Sequence, residues 1–261
     1  MSTKNLFSLR LLGACLVGAS LLVSCSKNST PASGPTGTYQ PDSVGATWTY
    51  AVSEDFSPSN SLLLSALEDS GYQFNAFDTS FTEALVSSGN DTTIGGLQYN
   101  TLTESGYPVI YFSQQDSLYY SVGLLPDVAV LGGFTPTNAY PVVIYLKNEP
   151  VGATWTQSIT GTTSFQGQNI PDTTYYTFTI QSVGGTRTVN NVNYTNVVTV
   201  QVSILDAASQ DLLAEFGGLQ GVSLAIPGTY YFSENVGLIE ADITSATWGL
   251  TLTQQLQSYT Q

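Results

Sequence analysis

Nineteen carboxylates, five Lys and Arg and no histidine limit the chemistry open to this 261-residue chain. Histidine is the usual base of nucleophilic triads and the commonest ligand of transition metals. Its absence excludes Ser-His-Asp and Cys-His catalysis and His-ligated metal centres. Paired carboxylates can hydrolyse glycosides, but no pair is set apart by its spacing. Asp211 and Glu215 stand four apart on an expected helix, a spacing that reads as a solvated face with mild repulsion. Glu54-Asp55 and Glu68-Asp69 read as surface pairs in loops or at helix ends. Glu240 and Asp242 alternate on one face of a late strand, as ligands of a hard cation such as Ca²⁺ would. No EF-hand loop or acidic Gly-rich repeat accompanies them. No glycine-rich loop joins a strand to a helix, which removes the usual nucleotide sites. Neither a catalytic residue, a metal ligand nor a cofactor is expected.

The remaining polar and aromatic candidates are few. Past residue 40 the only cations are Lys147 and Arg187, for which plain salt bridges are expected. With a net charge of −14, nucleic acid is excluded as a partner, because phosphate binding needs Lys and Arg to release counterions. Trp48 and Trp155 occupy matched points of a repeated hexapeptide, and Trp248 closes the second half of the chain. Matched places favour core packing, with ligand contact as the competing role.

The N-terminus carries the most specific chemistry. Lys4 and Arg10 flank the start of a 13-residue, largely apolar run from Leu11 to Val23. The run is shorter than the ~20 residues a spanning helix needs and suits a secretion signal. It ends in Leu22-Val23-Ser24-Cys25, which resembles a bacterial lipobox. That resemblance implies cleavage before Cys25 and acylation of its thiol. The other cysteine, Cys15, lies inside the signal, so the mature chain has no pair to oxidise. Ser26 in place of Asp implies, by similarity to sorting rules in enteric bacteria, the outer membrane. Lys27 leaves the periplasmic and surface sides both open. The Ser/Thr/Pro/Gly-rich stretch that follows reads as a flexible tether. The expected organisation is a signal peptide at 1–24, a tether at 25–43, and β units at 44–148 and 149–261.

These units are read from repetition. Val-Gly-Ala-Thr-Trp-Thr occurs at 44–49 and again at 151–156, and Thr93 to Asn100 resembles Thr188 to Thr195. Such recurrence at about 100 residues points to a diverged tandem duplication. Alternation at Tyr176/Phe178/Ile180, at Val198/Val200/Val202/Ile204 and at Trp248/Leu250/Leu252 marks half-buried strands with a Thr/Gln outer side. One apolar and one polar face imply antiparallel sheets. Gly184-Gly185 and Asn190-Asn191 are expected hairpin turns. Val142 to Leu146, apolar on both sides, is expected as an inner strand. Short helices are expected after Ser57-Pro58, ending at Gly71, and from Asp206 to Phe216. The fold class is therefore mainly β: curved antiparallel sheets, an open or half barrel, with two short helices.

The pattern V-G-x-x-W-x-Y, followed by Y-F-S-x-x-V-G-L-I at Tyr231 to Ile239, resembles a family of Bacteroidota outer-membrane lipoproteins. These are loosely similar to open-barrel lipoprotein carriers, which implies a concave face able to hold a lipid tail. Asp-Ser/Thr steps at Ser43, Thr92, Ser117 and Thr173 resemble the O-glycosylation sequon of Bacteroidota exported proteins, which implies glycans there. The expected function is a non-catalytic, membrane-anchored envelope lipoprotein that binds a hydrophobic ligand or an envelope protein. A structural or adhesive surface lipoprotein is the alternative, and a carboxylate-based hydrolase stands behind both.

Overall fold

In a computed structural model, residues 34–57, 76–89, 92–104, 107–122, 134–165, 168–207 and 223–261 are described. The two expected helices fall almost wholly outside these residues, as do Cys25, Asp211, Glu215, Glu68 and Asp69. Pro31–Gln261 cluster as one unit.

The first half of the body supplies β1 (Thr47–Phe56), β2 (Phe77–Ser87), β3 (Thr92–Ile94), β4 (Leu97–Glu104), β5 (Tyr107–Gln115), β6 (Leu118–Val122), β7 (Phe134–Pro136) and β8 (Val142–Lys147). The second half supplies β9 (Thr154–Phe165), β10 (Gln168–Val189), β11 (Val192–Asp206), β12 (Ile226–Ser233), β13 (Gly237–Ser245) and β14 (Leu250–Thr260). They form one open antiparallel sheet in the order β7-β9-β10-β11-β12-β13-β14-β1-β2-β4-β5-β6-β8, with β3 paired beside β4. The last strand, β14, pairs with β1 and joins the halves without a break.

The two hexapeptide copies share one local geometry. Ala46 N–H donates to the Ser43 carbonyl and Ala153 N–H to that of Pro150, at 3.0 and 3.1 Å. Gly45 and Gly152 take φ of +82° and +89°, as the third position of a type II turn requires. Each turn then feeds a strand whose second residue is a buried tryptophan. Asn190-Asn191 makes the expected tight hairpin, with φ of +47° and +65°. Gly184-Gly185 does not turn the chain. It lies inside the 22-residue β10, where successive register shifts mark bulges. Bulges sharpen local twist, and here they precede the point where the β10–β11 tip reaches β14, with Asn190 Nδ2 donating to the Leu256 carbonyl at 2.8 Å.

Val142 to Leu146 is also placed differently from the expectation. As β8 it ends the sheet and pairs only with β6. Its other edge is met by side chains of β9. Trp155 Nε1 and Gln157 Nε2 donate to the Ile144 carbonyl at 2.8 and 2.9 Å, while Gln157 Oε1 accepts from Ile144 N–H at 3.0 Å. One primary amide thus replaces the peptide group of a missing neighbouring strand, which protects the edge. This seam explains why a terminal strand can be apolar on both sides. Gln157→Ala is expected to cost about 1–2 kcal/mol and to speed hydrogen exchange at the Ile144 amide. Gln157→Glu should cost more, because a carboxylate cannot donate to the carbonyl.

Inside the curve, Trp155 stacks on Phe178 at 5.3 Å and Tyr145 packs on Phe232 at 5.4 Å. A second cluster gathers Trp48, Tyr50, Leu85, Leu102, Phe112 and Leu256. The expected tether is tied to this body from residue 34 onward. Tyr119 Oη accepts from Tyr39 N–H and donates to the Gly37 carbonyl at 2.9 Å, and Asn235 N–H donates to the Thr38 carbonyl. Tyr39, Gln40 and Pro41 are buried.

Candidate ligand groove

The strap at residues 38–42 bounds a groove of about 350 Å³ against β4 and β5. Its lining is mostly polar: Thr38, Gln40 and Asp42 from the strap, Gln98 and Asn100 from β4, Ser113 and Gln114 from β5. Alternation along a strand puts Gln98, Asn100 and Leu102 on one face, and Phe112 and Gln114 on the matching face of β5. Asn100 lies opposite Phe112. Leu102 and Phe112 belong to the core, so this face changes from apolar to amide as it leaves the core.

The groove is neutral apart from Asp42. Gln98 Nε2 donates to Thr93 Oγ1 at 2.9 Å, and Gln40 Oε1 accepts from Tyr145 Oη at 3.3 Å. Among the described residues, the amides of Asn100 and Gln114 have no protein partner. Fully buried Tyr99 also borders the groove, and its hydroxyl finds no partner among the described residues. Desolvation raises its pKa, with neighbouring Tyr120 adding to the rise.

The sequence candidates lie elsewhere. All three tryptophans are buried, and each indole N–H is spent on a backbone carbonyl: Trp48 on Val236, Trp155 on Ile144 and Trp248 on Leu224. Beside Trp48 an apolar cavity holds about 20 Å³, room for one water. Lys147 makes no ion pair among the described residues; its ammonium lies 5.2 Å from the Trp155 ring centre instead. Glu54 and Asp55 lie within β1 rather than in a loop.

Glu240 and Asp242 do share a face, and a side chain occupies the cation position between them. Arg187 Nε meets Glu240 at 2.5 Å and its Nη2 lies 3.5 Å from Asp242. Its guanidinium also sits 3.9 Å from the Tyr231 ring centre, and Gln255 Nε2 donates to Glu240 at 2.7 Å. Arg187 therefore makes the expected salt bridge, at a place the sequence did not indicate.

Two carboxyls are held above their ordinary range. Burial raises Glu83, nearby Glu104 raises it further, and the hydrogen bond from Gln254 opposes them. Burial and then Glu240 raise Asp242, against the pull of Arg187. At these two positions the folded chain binds more protons than the unfolded one. Stability should rise as pH falls from neutral through these raised values and level off near the unfolded carboxylate range of about 4. Thermal melts should show this rise, and Glu83→Gln should lift the neutral-pH melting temperature while flattening the slope.

The glycan candidates separate by exposure. Ser43 sits exposed beside the first type II turn, and Ser117 is exposed in the β5–β6 turn. Thr92 and Thr173 are half-buried within strands, and Asp172 is buried, bonded to Thr163 Oγ1 and to Thr173 N–H.

No family model matches this chain, and neither does any curated protein. Solved structures do. One is a candidate lipoprotein from Parabacteroides distasonis, with TM-score 0.45, 11% identity, and 86% of this chain and 99% of that chain covered. Another is a candidate exported protein with a YmcC-like fold from Bacteroides fragilis, with TM-score 0.39, 8% identity, and 87% and 100% covered. At these values neither carries a site residue over to this chain.

Sequence reasoning missed the groove amides. In Leu97-Gln98-Tyr99-Asn100-Thr101-Leu102, Tyr99 and Leu102 fall on opposite faces, so no single period-2 phase identifies the inward side. Gln157 shares the inner phase of β9 with Trp155 and Ile159, but nothing local to it indicates that its amide meets the Ile144 peptide.

Proposed function

We propose that this chain is a non-catalytic lipoprotein of the cell envelope, exported by its signal peptide and held at the outer membrane through Cys25. Its β body binds a polar ligand in the groove beside the strap. The observation that supports this reading is the contrast between two recesses among the described residues. Apolar space beside Trp48 amounts to about 20 Å³, whereas the amide-lined recess holds about 350 Å³, within the range of ligand pockets. A lipid tail suits the first poorly, and a polar molecule suits the second. Arg187 engages Glu240 and Asp242, so among the described residues that pair is not free to act as a hydrolase dyad. The structural or adhesive alternative has its own support in the threonine pairs of β9 and β10. Thr154 with Thr179, and Thr156 with Thr177, are bonded hydroxyl to hydroxyl at 3.0 and 3.1 Å on the outer face.

Metabolic labelling with an alkyne fatty acid tests the anchor. The wild-type chain should carry label and fractionate with membranes, whereas Cys25→Ser should carry none. Label persisting on that variant would sink the reading. Organic extracts of the purified full chain should contain no stoichiometric lipid beyond the anchor itself.

A further inference from the structure

We infer that the groove between the strap and β4–β5 takes a small neutral saccharide; this rests on the reading of the groove as the ligand site. The lining argues for that class in three steps. First, Asn100 and Gln114 each present a planar group that donates and accepts, Gln40 and Gln98 keep part of that capacity beside their bonds to Tyr145 and Thr93, and Thr38 adds a hydroxyl. Vicinal hydroxyls, which also donate and accept, match such a set, whereas a phosphate or carboxylate offers only acceptors. Second, the lining has no Lys or Arg, and its single charge is the Asp42 carboxylate on a chain of net charge −14. An anionic sugar or phosphate would enter against that field. Third, β3 and β6 pair the outer edges of β4 and β5 beside the groove, and the β4–β5 ladder ends at Asn100–Phe112, so only the short ends past it, Leu97–Tyr99 and Ser113–Gln115, are left for a peptide strand to extend. The volume of about 350 Å³ lies at the small end of ligand pockets. The amides of Asn100 and Gln114, without a protein partner among the described residues, are the groups that would exchange water for sugar hydroxyls.

The test uses the full lipidated chain in a zwitterionic detergent, with saturation-transfer NMR and calorimetry as readouts. The probes are cellobiose, maltose and chitobiose as neutral sugars, digalacturonate as an acidic sugar of similar size, and oleate. At least one neutral disaccharide should bind, with digalacturonate weaker by about tenfold or more. Asn100→Ala and Gln114→Ala should each weaken that binding by about tenfold, with the melting temperature unchanged because both side chains are partly or fully exposed. If no neutral sugar binds, or if its binding ignores both substitutions, the proposal is overturned. If digalacturonate or oleate binds in preference and is lost in both variants, the saccharide class is overturned while the groove survives as a ligand site. If no probe responds to the substitutions, both readings fail.

Discussion

Trp48→Ala is expected to cost about 3–5 kcal/mol of stability, the range for deleting a large aromatic from a packed core. The indole is 1% exposed, stacks near Tyr259 at 5.3 Å and donates to the Val236 carbonyl at 2.6 Å. Truncation opens a cavity next to the existing small void and leaves that carbonyl without its donor. The damage falls where β1 meets β14, the pairing that joins the two halves of the sheet. Trp48→Phe separates the contributions: most of the packing is kept and the hydrogen bond is lost, so about 1–2 kcal/mol should go. Chemical denaturation with a common slope for all variants is the appropriate measurement. A loss below about 1 kcal/mol for Trp48→Ala would contradict a core role.

Arg187→Met should cost about 2–3 kcal/mol, less than the about 3–5 kcal/mol seen when a fully buried pair is broken. The discount reflects the arginine side chain, which is 36% exposed and so partly screened, whereas that of Glu240 is only 5% exposed. Without Arg187 the buried carboxylate keeps, among the described residues, the donor from Gln255. Adding Glu240→Gln to Arg187→Met should recover much of the loss, since no buried charge is then stranded. The local signature is hydrogen exchange. Amides of the β10–β11 tip should exchange faster in Arg187→Met, because that residue ties the tip to β13. An unchanged exchange pattern would mean that Asn190 and the buried Val189 hold the tip alone.

Much of the β content was legible because the strands of the second half keep one apolar and one polar phase. Tyr176-Phe178-Ile180 and Val198-Val200-Val202 fall within β10 and β11 as the alternation implied. Asn190-Asn191 was legible because asparagine tolerates positive φ at little cost. The same logic failed at Gly184-Gly185, since a glycine pair serves a bulge as well as a turn, and the choice depends on the partner strand. Val142 to Leu146 was read as an inner strand because its local pattern lacks a polar face. Its free edge is met by Gln157, whose role depends on a neighbour 13 residues away.

By itself, the sequence determined the limits of the chemistry. The lack of histidine excludes His-dependent catalysis, the few cations argue against nucleic-acid partners, and the basic, apolar and lipobox-like N-terminus argues for export. These conclusions depend on residue types and short spacings, which need no fold. Tertiary structure alone decided how the described carboxylates and aromatics are used. Arg187 reaches Glu240 across 53 positions, and Trp48 reaches Val236 across 188. The groove joins residues 38–42 to residues 98–100 and 112–114. Contacts of that span arise from how the sheet curls and where the strap is tied, and no local periodicity encodes them.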